Sequence, residues 1–531
     1  SICSDGDPDP AHALSSIFCM RVRSNFCISS DFSTKNFCIS LIIVDINFCI
    51  SFIVAKGELM LRRKIADELN RWQRSIERKA LFVTGSRQIG KSYSIREFGK
   101  SNYAAYIELN LAENRQARDA LLEARDADDF ISRVTLLSGK PIAPGETLVF
   151  IDEVQEAPDI MTMAKFLVED GRCRWAFSGS MLGTQFKGVR SYPVGYVHEL
   201  KMFPLDFEEF SWAIGVSEEA RRSICDACRN ETPVPGYIHD AMMANFRTYI
   251  VVGGMPEVVQ RFLDTQGDFA SVRQLQSELN GQYRRDISKY ANGRALQVQS
   301  IFDQLPVMLE GENKRFVLNS IDPKAHFEKY QRDFVWLVDA GVALKTDIVT
   351  EPKSPLLKTA RPSQFKLYQS DTGMLMARYP IGVAQAAYLD SKEPNLGGVY
   401  ENVVAQQLAA QGRGLYYYQT KKRGEVDFVI DGPDGTAVPI EVKSGTYYHA
   451  HAALGHVLET AEYGVKRGIV FSRGNVERDG AVLDVQDREA IGVAEVGRAL
   501  GVQAAFADRG NCELHRDNRL SRERACGAQK C

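Results

Sequence analysis

Leu81-Phe-Val-Thr-Gly-Ser-Arg-Gln-Ile-Gly-Lys-Ser92 decides the fold of this chain. Leu81 to Thr84 reads as a short buried strand, and Gly85 to Ser92 fits GxxxxGK[ST], a phosphate-binding loop. Gly85 and Gly90 let the backbone turn its N–H groups inward as a nest for phosphate oxygens, shared by Ser86, Arg87, Gln88 and Ile89. Lys91 can reach the β/γ-phosphates and the Ser92 hydroxyl can ligate Mg²⁺. The helix expected next turns its positive end toward the anion. From average residue usage the bare pattern arises by accident in about two of every hundred chains this long, so its context decides. Here a strand precedes it and a helical pattern follows, which favours a nucleotide site over a Gly-rich surface turn.

Thr147-Leu-Val-Phe-Ile-Asp152-Glu153 lies about 60 residues further on, a second apolar strand ending in two carboxylates. The first acid suits the Mg²⁺ shell and the second a base that orients water toward the γ-phosphate. The alternative is a strand that ends in acids because its loop is wet. A third strand, Arg174-Trp-Ala-Phe-Ser178, runs into Gly179-Ser180. Ser178 or Ser180 is a candidate polar sensor between the second acid and the γ-phosphate, against a plain strand-ending turn. Strands alternating with helices predict a parallel sheet covered on both faces, with the phosphate loop at the carboxyl ends.

The chain has 531 residues, too long for one core. Apolar content of 44%, charged content of 25% and a net charge of −3 are ordinary for a globular protein, so contact with DNA or RNA needs a local patch. Of 11 cysteines, only Cys173, Cys225 and Cys228 lie in the body, which fits a reduced, cytoplasmic setting. Cys225-Asp-Ala-Cys228 has His239 in range but no second pair, and reads as an incidental helical pair rather than a zinc site.

Residues 1–59 look foreign. Asn-Phe-Cys-Ile-Ser recurs at 25–29, 36–40 and 47–51, a period that fits no common solenoid. A translated tandem repeat upstream of a natural start at Met60 accounts for it. The rival, a membrane anchor at Cys38–Ala55, carries Asp45 and Asn47 at its middle, so no membrane partner is expected. Residues 485–531 read as a disordered tail.

Between these ends the pattern divides into a P-loop domain (60–215), a helical lid (216–299) broken at Gly253-Gly254-Met255-Pro256, a winged-helix-like unit (300–390) and a C-terminal α/β domain (391–484). In the third unit Val342–Ile348 and Phe365–Gln369 suit a hairpin. Its Lys345, Lys353, Lys358, Arg361 and Lys366 make it a solvated wing or a nucleic-acid contact. In the fourth, Glu425–Ile430 and Ala437–Lys443 flank a turn and read as a β-hairpin. Alternation puts Val426, Phe428 and Ile430 on one face and Glu425 and Asp427 on the other. Symmetric pairing sets Asp427 opposite Glu441 and Glu425 opposite Lys443. Two facing acids call for a cation. A divalent metal on Asp427 and Glu441, with Lys443 activating water, suits phosphodiester cleavage. A wet, salt-bridged face is the alternative.

These residues resemble the bacterial and archaeal P-loop ATPases of the AAA superfamily that carry a C-terminal domain of unknown function. The resemblance spans about Met60 to Arg473. It rests on Gly85–Ser92, Phe150-Ile-Asp-Glu-Val-Gln155, Ser178-Gly-Ser180, Pro204-Leu-Asp-Phe-Glu-Glu-Phe210, Gly253-Gly-Met-Pro-Glu257, Phe365-Lys-Leu-Tyr368 with Asp371-Thr-Gly373, Tyr400-Glu-Asn402, Glu425-Val-Asp-Phe428 and Ile440-Glu-Val-Lys443. It implies ATP and Mg²⁺ as cofactors and catalytic roles for Lys91, Asp152 and Glu153. It also implies a PD-(D/E)xK nuclease-like C-terminal fold with site positions Glu401, Asp427, Glu441 and Lys443, and hence a second divalent metal and DNA as a candidate partner. Such ATPases often work as rings, so a homo-oligomer is a candidate state. Gly195-Tyr196 departs from the family's Gly-Arg, which leaves Arg190 as a substitute arginine in trans. The fold expected is α/β: a P-loop parallel sheet with flanking helices, a helical lid and winged-helix-like unit, then an α/β PD-(D/E)xK-like domain. Three functions compete: an ATP hydrolase coupled to the C-terminal module, an ATP-dependent metal-requiring nuclease, and a non-catalytic ATP switch.

Overall fold

The computed structural model describes residues 61–180, 193–291, 293–311, 314–321, 326–391, 395–444, 452–472, 474–479 and 482–486. All lie in the second of two compact units, Leu61–Cys531. The repeats before Met60, the Cys38–Ala55 stretch, Arg190 and the tail from 487 lie outside the described residues.

Five parallel strands form the first sheet: β1 (Ala80–Thr84), β2 (Ala105–Asn110), β3 (Thr147–Asp152), β4 (Arg174–Gly179) and β5 (Val197–Lys201), in the order β2-β3-β4-β1-β5. Alternation sorts their side chains. Leu81, Val83, Leu148 and Phe150 enter one core with helices α1 (Ile65–Arg74) and α2 (Lys91–Asn102). Phe82, Val149, Ile151, Trp175 and Phe177 enter another with α3 (Arg115–Leu122), α4 (Ala127–Ser138) and α5 (Ala164–Asp170). A parallel sheet needs cover on both faces, which is why β3 is buried along its whole length and apolar from Leu148 to Ile151. Helices α3 and α4 are separate because Asp126 accepts from Asp129 N–H and caps the second.

Helices follow: α6 (Phe207–Ala213), α7 (Glu218–Asn230), α8 (Gly236–Val252), α9 (Pro256–Asp264), α10 (Phe269–Tyr290), α11 (Ala295–Glu310) and α12 (Phe327–Asp339). Asp206 and Glu209 form a capping box at the start of α6, so part of the Pro204–Phe210 motif is a helix-start signal.

The second sheet has eight strands and crosses the boundary expected at 390. It contains β6 (Ala343–Val349), β7 (Ala360–Gln369), β8 (Tyr416–Thr420), β9 (Gly424–Asp431), β10 (Ala437–Val442), β11 (Gly468–Ser472), β12 (Glu477–Asp479) and β13 (Val482–Gln486), in the order β12-β13-β11-β10-β9-β8-β6-β7. Helices α13 (Thr372–Met376), α14 (Ile381–Leu389), α15 (Gly397–Ala410) and α16 (Ala452–Glu459) complete the chain order. The β6–β7 hairpin forms as expected, but β6 also pairs in parallel with β8. The expected winged-helix-like unit therefore has no sheet of its own: Phe365 and Leu367 share one core with Phe428 and Ile440. Among the described residues no helix is long and apolar enough to cross a membrane.

Candidate nucleotide site and C-terminal carboxylate cluster

The loop after β1 takes the conformation its glycines allow. Gly85 has φ +141°, and a Cβ there would overlap the Met202 carbonyl. Gly90 caps α2 from the left-handed region, and Gln88 also has positive φ (62°). Arg63 braces the loop, with Nη1 donating to Ile89 O (2.8 Å) and Nη2 to Phe203 O (2.7 Å). Lys91 is buried, and its ammonium donates to the carbonyls of Gly85 (3.1 Å) and Ser86 (2.7 Å). Burial lowers its pKa to about 8, against the opposing pull of Glu153 and Asp152.

Asp152 and Glu153 stand at the carboxyl end of β3, level with the loop because β1, β4 and β3 are in register. One strand, β4, separates β1 from β3, a spacing of roughly 10 Å. Asp152 is buried. It accepts from the Ser178 hydroxyl, from Glu153 N–H (3.0 Å) and from Asn110 Nδ2 (3.4 Å). Glu153 adopts a left-handed backbone (φ 56°, ψ 43°), a strained choice for a residue with a Cβ. Its carboxylate accepts from Gln155 Nε2. Ser180 is bound to Gln155 through both backbone (3.2 Å) and hydroxyl (3.3 Å), and its Oγ accepts from Arg87 Nε (3.4 Å). Ser178 thus partners the first acid, and Ser180 reaches the second only through Gln155. Gln155 belongs to the motif Phe150–Gln155 and lies two residues after Glu153, close enough to reach back to its carboxylate.

Helix α10 contacts the loop through Arg87. Its guanidinium contacts Asp286 (2.9 Å) and donates to Tyr290 Oη (3.1 Å) at the end of α10, and Tyr290 Oη donates to Glu156 (2.9 Å). Nothing in the sequence pointed to Asp286 or Tyr290. A Cβ on Gly341, in the turn before β6, would stand 2.9 Å from Ser86 N, so the C-terminal half also abuts the loop.

A buried polar chain links the halves. Leu205 N–H donates to Gly254 O (2.6 Å), and Gly254 N–H donates to Asp371 Oδ2 (2.6 Å). Gln406 reaches Asp371 (3.4 Å) and Tyr249 Oη (2.9 Å), and Tyr249 Oη donates to Leu205 O (2.7 Å). Gln407 accepts from Phe207 N–H (3.0 Å). Burial raises Asp371 to about 6 despite its N–H donors. The Gly253–Pro256 break is therefore a junction, which explains why it interrupts the helices.

The C-terminal hairpin follows the predicted register, with Ile440 opposite Phe428, but the facing acids do not form. Pairing between β8 and β9 slips between Tyr416 and Tyr418, so Tyr417 stands opposite both Asp427 and Phe428. This bulge turns Val426 to the side of Val429 and Ala437, away from Phe428 and Ile430, which corrects the expected common face. Asp427 Oδ2 accepts Val442 N–H (2.8 Å). Glu441 instead accepts Leu454 N–H (3.1 Å) and pairs with Lys443 (3.0 Å). Glu425 pairs with Lys366, not Lys443. Lys366 itself is fully buried rather than a wing charge, and Lys345 pairs with Asp347; Lys353, Lys358 and Arg361 remain exposed. Glu401, on α15, accepts from Lys314, from Lys366 (3.3 Å) and from Tyr368 Oη (2.8 Å). Burial raises Glu401 and the two lysines lower it, for a net value of about 2. Burial, then Glu401, pushes Asp427 up to about 8. Among the described residues no three His, Cys, Asp or Glu side chains gather as for a metal ion, at this cluster or around Cys225 and Cys228.

Residues 77–211 match the family model of an AAA domain. Residues 243–385 and 396–485 match two domains of unknown function, DUF8612 and DUF4143. No curated protein matches the chain. A solved structure of C. elegans PCH-2 aligns over 37% of this chain and 50% of that one, at 13% identity and a TM-score of 0.17. The alignment thus spans only half the length of that protein. The first sheet is that of an AAA-type P-loop domain, followed by a second, mixed sheet.

Proposed function

We propose that this chain binds and hydrolyses ATP at the carboxyl ends of β1 and β3, and that turnover acts on the lid and the C-terminal half. The observation that carries this is Lys91: a buried ammonium inside a Gly85–Ser92 loop, within electrostatic reach of Asp152 and Glu153. The donor set fits a magnesium nucleotide, since Ser92 lies in the first turn of α2 and Asp152 ends β3 at the same end of the sheet. Bound Mg²⁺ would neutralise charge on the β- and γ-phosphates, with Ser92 and Asp152 as its protein holders. Loop N–H groups and Lys91 bind phosphate oxygens. Ser178 orients Asp152. Glu153, held by Gln155, orients a water and takes its proton. Arg87 and the Gly254–Asp371–Gln406 chain lie between this site and the rest of the molecule, which supports coupling to α10 and α15.

Lys91→Ala is expected to abolish turnover. Glu153→Gln should retain ATP but slow hydrolysis by about 10²–10⁴-fold, the scale of a lost general base. Undiminished turnover in Glu153→Gln removes Glu153 as the base. Measuring the rate with and without single- and double-stranded DNA tests DNA as the partner.

A further inference from the structure

Asp427, Glu441 and Glu401 are the acids expected to gather a second divalent metal, and the groups around them do not fit one. A hard cation needs several oxygens turned toward one point. Here both Glu401 oxygens are taken, one by Lys314 and the other by Lys366 (3.3 Å) and Tyr368 Oη (2.8 Å). Lys366 is fully buried, also pairs with Glu425, and lies 5.1 Å from the Tyr417 ring centre. Asp427 is bound to Val442 N–H, while Glu441 is engaged by Leu454 N–H and Lys443. The bulge at Asp427–Phe428 bears on Asp427, and the three acids have separate partners.

We infer that Lys366 and Lys314 are built-in counter-cations that take the place of a metal ion, so that the C-terminal carboxylates join elements instead of cutting phosphodiester bonds. The cluster ties together the segment after α11, strand β7, helix α15 and strand β9, four pieces on both sides of residue 390. The inference stands whether or not the chain hydrolyses ATP.

The test uses the full chain carrying Asp152→Asn, so that the acid placed at the nucleotide's Mg²⁺ does not contribute metal uptake. Mn²⁺ is titrated by electron paramagnetic resonance to about 1 mM, the weak end of biological divalent-cation sites. No saturable uptake is expected, EDTA should leave the melting temperature unchanged, and plasmid DNA with Mg²⁺ or Mn²⁺ should stay intact. Saturable uptake that Asp427→Asn abolishes, a melting temperature lowered by EDTA, or cleavage lost in Asp427→Asn would each overturn the inference.

Discussion

Two lysines are buried among the described residues, and their surroundings differ in one respect. Lys91 faces the carbonyls of its own loop, and burial outweighs the pull of Asp152 and Glu153, leaving its pKa depressed. At Lys366 burial also pulls downward, but Glu401, Glu425 and Asp427 outweigh it and hold the pKa above the usual lysine value. The first cation is left short of negative charge and suits an incoming phosphate. The second already has its counter-charges. A buried lysine marks an anion site only where side-chain carboxylates have not satisfied it.

Exchanging each lysine for methionine is the sharpest way to break this contrast. Lys366→Met strands Glu425 and leaves Glu401 to Lys314 and Tyr368, and removing one partner of a buried pair typically costs about 3–5 kcal/mol, read as a lowered urea midpoint. Lys91→Met, in protein without nucleotide, should leave the midpoint unchanged or higher. The sign follows from linkage. With a folded pKa of about 8 against an ordinary 10.5, the unfolded chain holds the proton more tightly, so stability rises with pH between those values. Equal losses in the two variants would erase the distinction.

The sequence made one of these lysines legible and hid the other. Lys91 sits in a local loop, and glycine spacing, strand and helix all lie within one short stretch, so chain order alone places it. Asp152 was readable because an apolar run ending in acids is again local. Lys366 lay in a stretch of regularly spaced cations that reads as a wet wing. It is buried because β6 pairs with β8, a contact between residues some 70 positions apart. The facing acids failed for a related reason. Their register was right, but a single extra residue in β9 re-aimed the side chains, and alternation cannot reveal a bulge. Asp286 and Tyr290 meet Arg87 from about 200 positions away and leave no local trace.

A smaller effect refines the nucleotide side of the comparison. Gln155→Ala removes the contact that holds the Glu153 carboxylate and its link to Ser180. Misplacing a catalytic group by about an ångström can cost up to 10²-fold, so kcat should fall by roughly tenfold to a hundredfold with little change in KM. An unchanged kcat would leave Glu153 positioned by its backbone alone.

Calorimetric titration of Mg²⁺–ADP into the full chain, in two buffers of different ionisation enthalpy, tests the central claim most directly. Binding is expected, lost in Lys91→Met. Above the Lys91 pKa of about 8 it should weaken and take up as much as one proton, because the phosphates recharge the lysine. Absence of binding, or binding that survives Lys91→Met undiminished, would contradict the account.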